Sequence, residues 1–210
     1  MSNLASLENY IKTKKFSFNT NKNNNNSIYN HMGATISDTI LQSGLNYKYV
    51  VSPRIENLLH NYGTFKTTSS FIVLFNEIPL NEILLWKDNK KPNLIKKLSW
   101  LLFERKIENE KSLKYWLQNE KNLEIISDID GIGPKTIDYL KKLCGISSIP
   151  IDRHLLKFLE LAKIEVNSYE EASVLYEAVS ETMGIDPSDL DYHIWNYMAN
   201  KKSKQFVLQY

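Results

Sequence analysis

The chain has 210 residues, 42 % of them hydrophobic and 24 % charged, ordinary values for a soluble globular fold of one domain or two small ones. A single cysteine, Cys144, excludes a disulfide framework, a four-cysteine zinc site and a four-cysteine iron–sulfur cluster. Lys and Arg number 26 against 24 Asp and Glu, and a net charge of +2 does not by itself announce a polyanion partner.

The distribution of charge says more than its sum. Eight acidic residues and no Lys or Arg lie between Glu165 and Asp191, whereas Lys87 to Lys142 holds thirteen basic and nine acidic residues. Such polarity can steer a polyanion even when the total is small. No apolar run approaches the ~18 residues of a membrane span. The N-terminal MSNLASLENYIKTKK lacks an apolar core followed by a small-residue cleavage site, so no secretory signal is expected. A cytoplasmic protein, nucleoid-associated if prokaryotic, is the default.

In chain order, Asn19 to Ser27 is polar and of low complexity, and reads as a flexible loop. Met32, Ile36 and Ile40 mark one face of a helix that Gly44 can end. Ser52 and Pro53 read as N-cap and first position of the next helix, carrying Ile55, Leu58, Leu59 and Tyr62. Phe71 to Phe75 is a buried segment of either type. Leu94, Ile95, Leu98, Leu101 and Leu102 form an amphipathic stripe after Pro92. Ser168 with Glu171 reads as a capping box for a helix to Met183 with Gly184 behind it, and Pro187 precedes a last helix through Trp195 and Met198. Strand alternation is nearly absent, so the fold class is all-α. His31 and His60 read as surface residues.

The informative stretch is LEIISDIDGIGPKTIDYLKKLCGISSIPIDRHLLKFLELAK, residues 123–163. Ile126 and Ile129 close one short helix, Gly131-Ile132-Gly133 turns the chain, and Pro134 opens a second helix that Gly145 follows. Two glycines let the backbone approach closely and point N–H groups outward, where they and the helix N-terminus can hold a phosphate oxygen without reading sequence. Lys135 then lies in the first turn of the second helix, where the positive end of the helix dipole favours loss of its proton and so a nucleophilic amine. Asp152 reads as the N-cap of the helix carrying Leu155, Leu156, Leu159 and Leu161. A fixed carboxylate there can also stabilise an oxocarbenium-like sugar and accept a proton. Asp152 lies seventeen positions after Lys135, which allows one helix out and a short loop back.

Gly131-Ile132-Gly133-Pro134-Lys135-Thr136, followed by Ile149-Pro150-Ile151-Asp152-Arg153-His154, resembles the helix-hairpin-helix (HhH-GPD) DNA glycosylase superfamily. Leu190 to Tyr197 is similar to the final helix of the cluster-free archaeal 8-oxoguanine DNA glycosylase/AP lyases. The strong match covers about 40 residues and the C-terminal match extends it to about 75. The chain departs from the family pattern at Ile137, where an alanine is usual, and at Asp130, where a proline is usual.

The resemblance implies two helical subdomains with an active-site cleft between them, a central bundle over 46–144 containing the hairpin (about 122–144), and a second subdomain joining 1–45 to 145–210. It implies excision of a modified base from double-stranded DNA, an oxidised purine such as 8-oxoguanine as the first guess. Lys135 would attack C1′ and Asp152 would serve as the catalytic carboxylate, while Gly131, Ile132, Gly133 and Thr136 grip the DNA backbone. Asp38, Gln42, Asn46, Tyr47, His193 and Trp195, with Tyr192, are candidates for the base pocket or for plugging the vacated stack. No metal and no organic cofactor is required, with a monovalent cation at the hairpin the one ion allowed, and a monomer is expected. Two alternatives stand beside this: a phage-defence glycosylase that removes a base such as glucosylated hydroxymethylcytosine, and a non-catalytic DNA-binding module that uses only the hairpin.

Overall fold

The computed structural model describes the backbone of residues 2–18 and 29–207, and side chains as far as residue 200. The Asn-rich segment 19–27 lies outside the described residues. In chain order the elements are α1 (Asn3–Thr13), α2 (Met32–Leu41), a π-helical turn (Tyr47–Val51), α3 (Ser52–Tyr62), α4 (Thr68–Glu77), α5 (Leu80–Ile83), α6 (Lys90–Glu104), α7 (Glu110–Trp116), α8 (Glu120–Ser127), α9 (Pro134–Leu143), α10 (Arg153–Leu161), α11 (Tyr169–Met183) and α12 (Pro187–Val207). The fold is all-α, with no strand among the described residues. None of these helices is long and apolar enough to cross a membrane.

The chain divides into two compact units, each with its own hydrophobic core. The first unit holds α1 and residues 147–207, and its core joins Leu7 and Ile11 of α1 to Leu155, Phe158, Tyr176, Val179 and Ile194. The second holds residues 29–146 and is built around α2. All ten residues of α2 are buried, because α3, α4, α6 and α9 all pack on it. A helix without an exposed face belongs at the centre of its domain. This moves the expected boundary at residue 45: α2 is the middle of the second unit and does not join α1.

Small side chains permit that close packing. A Cβ on Gly33 would stand 2.6 Å from the Phe71 ring of α4. Gly33→Ala is therefore expected to cost about 1–3 kcal/mol through overpacking, read from urea unfolding; an unchanged midpoint would contradict the packing.

His31, expected at the surface, is instead buried and caps α2. Its Nδ1 accepts from the Ala34 N–H at 3.1 Å, Nε2 lies 3.2 Å from the Tyr62 carbonyl, and its own N–H donates to Glu110 at 2.5 Å. Burial pushes the imidazole pKa down, which keeps Nδ1 an acceptor. Histidine is not among the preferred N-caps, so sequence patterns do not signal it. Ser52 is likewise not the cap of α3: the π-helical turn runs straight into that helix, and the capping side chain is Asn46, which accepts from the Tyr49 N–H at 3.1 Å. Phe71–Phe75 resolves as helix. Ser168 does cap α11 and Gly184 ends it at φ +65°, but the Glu171 carboxylate reaches the Asn167 N–H at 2.8 Å, so the box is not reciprocal.

Candidate functional site

The turn between α8 and α9 follows from its residues. Gly131 has φ +97°, a conformation L side chains rarely adopt, and a Cβ there would meet Leu94 at 3.2 Å. Ile132 turns inward to the core and donates its N–H to the Ile129 carbonyl at 2.9 Å. Gly133 caps α9 in extended geometry and Pro134 occupies the first helical position. The N–H groups of Gly131, Gly133 and Lys135 make no hydrogen bond among the described residues. Donors grouped in this way at a helix start are an arrangement that can hold an anion. Asp128 and Asp130, both exposed, place negative charge on the same turn. Thr136 is buried, its N–H bonded to the Gly133 carbonyl.

Lys135 stands one residue inside α9, half-buried, with no hydrogen-bond or ion-pair partner among the described residues. Its charge acts on Lys91 of α6. Lys91 donates to the carbonyls of Ile40, Leu41 and Ser43 at 2.8, 3.1 and 2.9 Å, and so caps the C-terminus of α2. Burial lowers the Lys91 pKa to about 8; Asp88 opposes the shift, while Lys135 and Lys90 add to it.

One helical turn beyond Lys135, on the same face of α9, Tyr139 reaches into α2. Its hydroxyl donates to Asp38 Oδ2 at 3.2 Å. Tyr29 donates to the same oxygen at 2.7 Å and Tyr47 at 3.3 Å, with the Tyr29 and Tyr47 hydroxyls 3.0 Å apart. Asp38 is fully buried, and its other oxygen, Oδ1, has no partner among the described residues. Four positions noted from sequence thus lie in the second unit: Asp38 on α2, Gln42 capping its end, Tyr47 on the π-helical turn and Lys135 at the start of α9. Asn46 is committed to capping the turn. Tyr29, Lys91 and Tyr139 were missed. Only Tyr139 had a signal, its four-residue spacing from Lys135.

Burial raises the Asp38 carboxyl to about 6, against the pull of the three phenols. A carboxyl whose folded pKa exceeds its unfolded 3.8 holds its proton more tightly when folded. Ionised Asp38 therefore opposes folding above about 6, and stability is gained as the pH falls from there to 3.8. Asp38→Asn is expected to stabilise the protein by about 1–2 kcal/mol at pH 8, with the gain shrinking towards pH ~4. Urea unfolding of both proteins across that range checks this; a variant less stable at pH 8 would contradict it.

Asp152 belongs to the first unit, where it caps α10. A single oxygen, Oδ1, accepts both cap bonds, from His154 N–H at 2.7 Å and Leu155 N–H at 3.0 Å. Oδ2 makes no hydrogen bond among the described residues, so one carboxylate holds the helix and still offers an oxygen. On the same unit the Trp195 ring of α12 lies 6.0 Å from the His154 ring and is 43 % exposed. Tyr192, one turn earlier, is exposed too. His193 faces elsewhere: it packs against Phe16 and Phe18 at 5.7 and 5.1 Å, and its Nε2 is 3.6 Å from Asp189. Two residues along a helix are ~200° apart, so His193 and Trp195 cannot line one pocket.

The model of one protein family, described as a domain of unknown function (DUF8548), matches residues 86–199, just over half of the chain. The chain belongs to the DUF8548 family. No curated protein and no solved structure matches it. The DUF8548 segment contains the α8–α9 turn, Lys135, Asp152 and Trp195, and leaves out Asp38, Gln42, Asn46 and Tyr47.

Proposed function

We propose that this protein is a helix-hairpin-helix DNA glycosylase with AP lyase activity. In this reading α8, the Gly131–Gly133 turn and α9 are the hairpin, and its free N–H groups take a phosphate of double-stranded DNA. A target base leaves the stack, since its glycosidic bond cannot be reached inside the duplex. Asp152 Oδ2 stabilises the oxocarbenium character of the sugar as the N-glycosidic bond breaks. The Lys135 amine bonds to C1′ and gives up a proton as the base departs with the glycosidic electron pair; the C1′–O4′ bond then breaks, O4′ taking a proton, to leave a Schiff base, and loss of a C2′ proton expels the 3′ phosphate by β-elimination. Lys135 and Asp152 must both reach one deoxyribose carbon.

The observation that carries the reading is the state of those two side chains. Among the described residues, the Lys135 amine has no partner, and Asp152 divides its carboxylate between a helix cap and an oxygen that makes no hydrogen bond. A module that only grips phosphate needs neither. The basic Lys87–Lys142 stretch lies wholly in the second unit with the hairpin, consistent with a polyanion partner there.

The test is a panel of duplexes carrying 8-oxoguanine, uracil, mismatched thymine, alkylated bases or glucosylated hydroxymethylcytosine, assayed for base release and strand nicking. Release of one base class with nicking at the vacated site is the expected result, and an oxidised purine is the first candidate. Release of the glucosylated base alone would make the enzyme a defence glycosylase. Binding without release from any duplex would overturn catalysis in favour of a binding module.

A further inference from the structure

The second unit contains a buried polar pair for which the chemistry above has no use. Among the described residues, Asp38 Oδ1 is an acceptor without a donor, and Gln42 Nε2 is a buried donor without an acceptor. Gln42, the C-cap residue of α2, lies one turn beyond Asp38 with its backbone N–H on the Asp38 carbonyl, yet the two side chains do not satisfy each other. An unpaired buried polar atom is costly, and two of opposite kind side by side are complementary to an edge that offers one donor next to one acceptor. Tyr47 reaches the Asp38 carboxylate from the exposed side. It is 39 % exposed, and its hydroxyl holds Asp38 Oδ2 only at 3.3 Å. It also sits on a π-helical turn, a backbone form common where function needs adjustable geometry. Lys135 and Tyr139 share one face of α9, and Tyr139 touches Asp38, so the helix that carries the proposed nucleophile also packs on the helix that carries Asp38.

We infer that Asp38 Oδ1 and the Gln42 carboxamide form the recognition site for the hydrogen-bonding edge of the everted base, with Tyr47 as the group that moves aside to admit it. The inference rests on the glycosylase reading. The ligand class is a nucleobase bearing an unsubstituted N–H, which donates to Asp38, beside an acceptor that takes the Gln42 N–H. Methylation of that N–H removes the donor and puts a methyl group against a buried carboxylate. A site built to hydrogen-bond a group rejects the analogue lacking it far more strongly than an apolar pocket rejects a change of size.

The experiment compares wild type with D38N, Q42L and Y47F in two assays: single-turnover release of the base found in the panel, and borohydride trapping on DNA that already carries an abasic site. Abasic DNA has no base to read. D38N and Q42L are therefore expected to slow release ~10²-fold while trapping falls less than ~3-fold. Y47F keeps the ring but removes the longest of the three phenol bonds that hold Asp38 Oδ2, and is expected to speed release about two- to fivefold. The N-methylated analogue of the released base should be released ~10²-fold more slowly than the parent by wild type. Equal losses of release and trapping in D38N and Q42L, no loss in either assay, or slower release by Y47F would each overturn the recognition role while leaving the glycosylase reading intact. Failure of wild type to trap abasic DNA and to release any base would overturn both together.

Discussion

Lys135→Gln is expected to abolish borohydride trapping and to lower strand nicking by at least ~10³-fold, while affinity for DNA changes little. The side chain has no partner to lose among the described residues, so the substitution removes an amine without opening a cavity or breaking a bond. Glutamine is a good helix former and tolerates the first turn of α9. Binding survives because the N–H groups of Gly131, Gly133 and residue 135 belong to the backbone. Loss of folding would instead show as a shifted unfolding midpoint, and none is expected. Base release at the native rate by the variant would make water the nucleophile and remove Lys135 from the chemistry.

Asp152→Asn is expected to slow base release by ~10²–10⁴-fold, because a neutral amide cannot stabilise a cationic sugar as a carboxylate does. The variant separates that role from the structural one. Asparagine is as good an N-cap as aspartate, so the bonds from His154 and Leu155 have an acceptor and α10 stays in place. Asp152→Ala removes both functions and should additionally cost about 1 kcal/mol of stability in urea unfolding. If Asn and Ala leave release unchanged, Asp152 is only a cap.

Local rules carried much of the fold. Gly133, Pro134 and Gly145 set the ends of α9 because glycine and proline act through their own backbone geometry, and Asp152 capped α10 because its side chain answers donors two and three residues on. What failed depended on distant partners. His31 is buried by Tyr62 and by Glu110, which is 79 positions away, and nothing local reports that. The same holds for α2, whose apolar face suggested one buried side, whereas four other helices bury all of it. The candidate site divides along the same line. Lys135 and Asp152 stood out because the turn and the cap around them are local. Asp38 was named for its position on the helix, but its depth beneath Tyr29, Tyr47 and Tyr139 comes from contacts spanning 9 to 101 residues. His193 and Trp195 shared a motif in sequence and parted by helical geometry.

The buried Asp38 carboxylate sets stability against use. Its ionised form opposes folding, so a variant that stabilises the protein and slows the enzyme marks a residue kept for function. A purely structural Asp38 would show the reverse, since removing it would weaken the tyrosine cluster.

The central claim is a covalent bond between one amine and one sugar carbon. Reduction with borohydride in the presence of abasic DNA, followed by nuclease and protease digestion and mass spectrometry, locates that bond directly. A deoxyribose remnant on the Lys135 side chain, in the peptide that opens α9, is the predicted result. A remnant on Lys91 or any other amine, or none at all under conditions where the DNA is bound, would contradict it.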